Sequence, residues 1–118
     1  MRSIDAIIDT LLEKKQKLNE LFVQAAEIEA LPKGEERDMQ ILRLSISAEL
    51  DASNLYEKFI ALAQSEKIAE VLTSISEEEK VHVGELKALL EQTDPEFTDA
   101  EEKGKGEVAD ISGRRRRQ

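Results

Sequence analysis

A chain of 118 residues, 36% charged and 3% aromatic with two prolines and five glycines, has the length of one domain and the composition of a helical one, which disfavours a β-sandwich or barrel. The absence of cysteine excludes disulfides, zinc fingers and thiolate clusters, and no apolar run approaches the ~20 residues of a membrane span or opens the chain as a signal peptide, so a cytoplasmic protein is expected. The formal charge is −9, or −13 without the arginines Arg114 to Arg117, a balance that disfavours nucleic acid and anionic membranes and favours cations as ligands.

Residues 1–34 read as an N-terminal helical extension. Apolar positions Ile4, Ile7, Ile8, Leu11, Leu12, Leu18, Leu21, Phe22, Ala25 and Ile28 predict a helix over 3–31, with lysines of the same stretch coating its polar surface. Ser3 with Ala6 makes half a capping box, and Leu31-Pro32-Lys33-Gly34 stops the helix. Residues 35–110 read as the main domain. A helix over 36–64 carries a 4-3 seam of Leu42, Ile46, Glu49, Ser53, Tyr56, Ile60 and Ala63. A third helix over 65–91, capped by Ser65, repeats the pattern with Ile68, Leu72, Ile75, Glu79, His82, Leu86 and Leu89, and ends before Pro95. Residues 98–109 predict a short fourth helix weakened by Gly104 and Gly106, and 111–118 a flexible polar tail. No internal repeat is present.

The chemistry concentrates in the two seams. Glu79 and His82, the sole histidine, are one helical turn apart in the middle of an apolar stripe. A lone Glu-x-x-His is usually a surface accident, but an ionisable pair in an apolar seam is costly unless something satisfies it, and a metal ion does so. The link between the second and third helices is too short for anything but an antiparallel hairpin. Glu49 and the Glu79/His82 pair then both lie roughly 22 to 26 Å from its turn, at about 1.5 Å per residue. Carboxylates with one imidazole suit Fe(II), Mn(II) or Zn(II). Di-iron carboxylate bundles use two single glutamates and two Glu-x-x-His motifs on four helices. One chain supplies half of both the ligands and the helices. Two copies about a twofold axis supply the whole, with four carboxylates to balance two divalent cations. Four carboxylates in an apolar core repel without metal, so metal is expected to drive dimerisation.

The segment 41–57, with Glu49-Leu50-Asp51-Ala52 and Leu55-Tyr56-Glu57, and the segment Glu77-Glu78-Glu79-Lys80-Val81-His82-Val83-Gly84-Glu85 resemble the encapsulated ferritins. The likeness, over about residues 38–110, is strongest to the ferritin-like domain fused to some archaeal encapsulin shell proteins. It implies an all-α half-ferritin: an antiparallel hairpin, here with an extra N-terminal and a short C-terminal helix, that forms a ferritin-like four-helix bundle on dimerisation. It further implies a di-iron ferroxidase for iron storage, with Mn or Zn as substitute metals, in a decameric ring of dimers inside an encapsulin nanocompartment. Glu49, Glu79 and His82 of each chain would be the ligands. Tyr56 would lie beside the site as a catalytic residue, and Asp51 on the route by which iron arrives. The bland reading makes Tyr56 plain core, Asp51 a solvated helix residue, and Glu77, Glu78 and Glu85 a solvated acidic face. Ala48 and Leu55 stand where family members carry an acid and a tryptophan, and the tail lacks the usual shell-docking peptide, which leaves the Arg114–Arg117 run as one means of holding an acidic shell. The alternatives are a rubrerythrin-like peroxide scavenger, against which the missing Cys-x-x-Cys electron donor counts, and a non-enzymatic helical assembly stapled by metal.

Overall fold

The computed structural model describes residues 3–116, apart from the side chains of Lys17 and Arg114–Arg116. It is all-α among the described residues: α1 (Ile4–Glu29), α2 (Glu35–Leu62), α3 (Glu66–Thr93) and α4 (Pro95–Arg116). The ends follow local chemistry. The Ser3 hydroxyl accepts from the Ala6 amide at 3.2 Å, the half of the capping box that sequence allows. Ser65 accepts from Ile68 at 3.3 Å and starts α3. The turn after α1 closes at Gly34, whose φ of +149° is open to glycine and strained for other residues. Arg37 in the first turns of α2 donates back to the carbonyls of Ile28, at 3.2 Å, and Glu29, occupying acceptors that the end of α1 leaves unpaired.

The fourth helix departs from expectation. It starts at Pro95, three residues earlier than the apolar pattern predicts, and continues through Arg116, so the segment from Ile111 is helical rather than a tail. The early start has a cause in Asp94-Pro95. The Asp94 carboxylate accepts from the Phe97 amide at 3.2 Å, and Pro95 takes the first helical position, where a missing N–H costs nothing. Gly104 and Gly106 lie inside the helix, and Lys105 between them pairs with Glu101 at 3.3 Å and Glu102 at 3.4 Å along one face, which offsets part of their cost. Arg117, part of the expected arginine element, lies outside the described residues.

The helices join only in chain order. α2 and α3 pack along their length as the antiparallel hairpin, α1 lies loosely against α2, and α4 touches α3 near their corner. Arg43 of α2 reaches Asp94 at 2.7 Å, tying the far ends of the hairpin, and Lys87 of α3 reaches Glu101 of α4 at 3.0 Å. Very little of this is a closed core. Leu90 is the one buried apolar residue among the described residues. The radius of gyration is 18.9 Å, against about 13.5 Å for a compact domain of this length.

Candidate metal centre

The register of the hairpin is fixed by two small residues. Ser53 and Ser76 are the buried polar residues of α2 and α3, and their hydroxyls lie 3.4 Å apart. A pair of serines lets two helix backbones approach closely. Glu49 is one turn from Ser53, and Glu79 is three residues from Ser76, both on the side away from the hairpin turn. The crossing at the serines therefore sets Glu49 and Glu79 at one height.

The three predicted ligands meet there. One donor atom from each of Glu49, Glu79 and His82 lies within 4.8 Å of the others. His82 Nδ1 is 3.6 Å from Glu49 Oε2 and 3.8 Å from Glu79 Oε2. Both distances exceed the 2.7–3.2 Å of a nitrogen–oxygen hydrogen bond, so the imidazole faces the carboxylates without bonding either. They lie within the ~4.2 Å that separates opposite ligands around a metal bound at about 2.1 Å. Glu49 Oε2 is buried and has no hydrogen-bond partner. A buried acceptor left in that state is costly, and a cation is the partner that suits an oxygen already facing an imidazole nitrogen and a second carboxylate. The residues present fit a divalent metal.

Burial within the cluster is graded. The Glu79 side chain is 17% exposed, Glu49 27% and His82 45%. The α3 seam is consequently turned from its expected position. Its most buried residues are Ser76 and Leu90, neither on the predicted stripe, while Ile68 and Leu89 of that stripe are exposed. The small Ser76 brings this side of α3 against α2 and leaves the Ile68–His82–Leu89 side at the edge of the pair. The cluster thus lies at the edge of the helix pair, with His82 its most exposed member.

Tyr56 is half-buried and, seven residues from Glu49, shares its side of α2 two turns away. Asp51, two residues from Glu49, falls on the opposite side of α2 and is outside the cluster. Glu77, Glu78 and Glu85 are exposed. The contact that sequence reading missed is Ser53 with Ser76. Its one available signal was a small polar residue in an otherwise apolar seam, at position 53.

A second ionic cluster lies between α3 and α4. The hydrogen bond from Lys87, joined by one from Lys105, holds the Glu101 carboxyl below the ordinary carboxylate range. The same contacts from Glu101 and Glu102 hold the Lys105 ammonium above its ordinary value. Two lysines meet these carboxylates, so this is an ion-pair clasp and not a cation site.

Residues 40–111 match the family model described as Rubrerythrin. Over 82 residues the chain is 44% identical to the ferritin-like–encapsulin shell fusion protein of Pyrococcus furiosus, covering 70% of this chain. It spans about a quarter (24%) of the length of that relative. The crystal structure of the encapsulated ferritin domain from Pyrococcus furiosus superposes with a TM-score of 0.67 at 43% identity, over 70% of this chain and 85% of that one. The helix α1 precedes the region matched by the family model. With a hairpin that brings Glu49 to a Glu-x-x-His on the neighbouring helix, and with these likenesses, the chain belongs to the rubrerythrin family of ferritin-like proteins.

Proposed function

We propose that the chain is a ferroxidase, oxidising Fe(II) to Fe(III) at a di-iron site completed by two copies of itself. The observation that carries this reading is the meeting of Glu49, Glu79 and His82 around a buried, unpartnered carboxylate oxygen on an open face. Half a ligand set on an open face is what a second copy about a twofold axis would complete. Glu49 and Glu79 would bind the cations and neutralise their charge, and His82 would supply the nitrogen that fixes their position. Tyr56 would stand beside the site. The iron supplies the redox chemistry, with O₂ or peroxide as acceptor. Mn(II) and Zn(II) would occupy the same ligands, and Zn(II), which has no accessible redox change, would not turn over.

Storage of the ferric product needs an enclosing shell, because a chain of 118 residues has no volume for a mineral. The two relatives are named as an encapsulin shell fusion and an encapsulated ferritin domain. On that likeness the chain would work in the cytoplasm, inside an encapsulin nanocompartment and as a decameric ring of dimers. Residues 1–34 would be an extension to a 35–110 catalytic domain.

Aerobic Fe(II) addition, followed at the ferric absorbance, tests the reading. Wild type should oxidise iron far faster than buffer, and Glu49→Ala should fall to the buffer rate. Equal rates for the two proteins sink it. The family description favours one rival, a rubrerythrin-like peroxide scavenger. Under that reading hydrogen peroxide, and not O₂, would be consumed at a rate that Glu49→Ala abolishes.

A further inference from the structure

We propose that α1 is a second self-association element, which pairs antiparallel with α1 of another copy of this chain and needs no metal to do so. The helix turns the wrong way to be the third helix of a closed protomer. Leu21 and Ile28 are half-buried and mark its side toward α2. Ile4, Ile8, Leu11, Leu18 and Phe22 lie about 100° further round, at 100° per residue, and are between 47% and 76% exposed. With Lys15 they follow an unbroken 4-3 spacing, which is a seam for another helix. No described helix of the same chain covers it.

Surface area argues for a second copy as the occupant. The chain exposes 9655 Å². A folded monomer of 13.3 kDa exposes about 6,500 Å², leaving an excess of about 3,200 Å² on every copy. A standard interface takes about 800 Å² from each partner, so closure at the metal face alone does not absorb the excess.

The charged residue of the seam, Lys15, selects the orientation. Antiparallel pairing sets Ile4 against Phe22, Ile8 against Leu18 and Leu11 against the Lys15 stem. Parallel pairing stacks Lys15 on Lys15, the arrangement that a charged seam residue disfavours.

Native mass spectrometry of the full chain, in EDTA and with Fe(II) under anaerobic conditions, separates this interface from the metal-dependent one. Wild type should be dimeric in EDTA and larger with metal. Leu11→Glu/Leu18→Glu should be monomeric in EDTA and dimeric with metal, and Glu79→Ala dimeric in both. A wild type monomeric in EDTA, or a Leu11→Glu/Leu18→Glu variant that stays dimeric there, overturns the proposal. Loss of the metal-driven step alone overturns only the shared-site reading. Because the chain has no native cysteine, cross-linking checks the orientation. Ile8→Cys/Leu18→Cys should oxidise to a covalent dimer while either single variant stays monomeric on a non-reducing gel. Cross-linked single variants, or no cross-link in the double variant, overturn antiparallel pairing. The two positions are ~15 Å apart along one helix and cannot close within a chain.

Discussion

Two hydroxyls at 3.4 Å mark the crossing beside which Glu49, Glu79 and His82 converge. Ser53 and Ser76 are buried against each other between the two helices, so Ser76→Leu should lower stability by roughly 1–3 kcal/mol through overpacking. Thermal unfolding checks the loss. The same variant should weaken metal binding, read by isothermal titration with Zn(II), because Glu79 is three residues away on the same helix. Unchanged affinity would mean that the serine contact does not position the ligands. Gly34 is the other position where one residue type is required. Its φ of +149° penalises a Cβ although nothing crowds it, so Gly34→Ala should cost about 1–3 kcal/mol from backbone strain alone. Glu49, Glu79 and His82 are legible from sequence, since spacing alone places them on seams. Ser76 is not, because it lies off the apolar stripe and a serine announces no contact.

At the scale of elements, α4 shows how local ion pairs carry a helix with little apolar burial. Glu101 has its carboxyl held below the ordinary value of 4.5, first by Lys87 of α3. A depressed carboxylate stabilises the folded state above its unfolded pKa and loses that contribution as pH falls through the lower folded one. Docking of α4 should therefore loosen as pH drops below 4.5, visible as faster amide exchange in 95–116 after correction for intrinsic rate. Glu101→Gln should exchange at the loosened rate at neutral pH and lose the pH response. A variant with the wild-type pH profile would place the clasp elsewhere. The early start of α4 was readable in Asp94-Pro95, a cap followed by an N1 proline, but an apolar-period criterion passes over it. Its continuation past two glycines was not readable, because the compensating Lys105 pairs are a matter of which rotamers meet.

For the molecule as a whole, openness is the dominant fact. One buried apolar residue among the described residues and an 18.9 Å radius of gyration describe a chain that has not finished burying itself. Binding of metal to the associated state alone should raise its stability, by about 2.7 kcal/mol at a hundredfold excess over Kd. The melting temperature should accordingly rise with Zn(II), fall with EDTA, and increase with protein concentration. Glu49→Ala should remove the response to metal and keep the response to concentration. A wild-type melting temperature indifferent to metal would contradict a structural role for the cluster.

The sequence by itself determined the helical class, the hairpin and the identity of the three converging side chains, because seam periodicity and a link too short to cross over leave an antiparallel pair as the one arrangement. It also determined that the converging group holds two carboxylates and one imidazole, since that is a count of residues. Only the tertiary structure decided that the cluster lies at the edge of the helix pair, that α4 is long, and that the apolar stripe of α1 points away from its own neighbour. Those depend on how far each helix is rotated about its axis. Rotation is set by contacts between residues distant in sequence, such as Ser53 with Ser76, which no local period encodes.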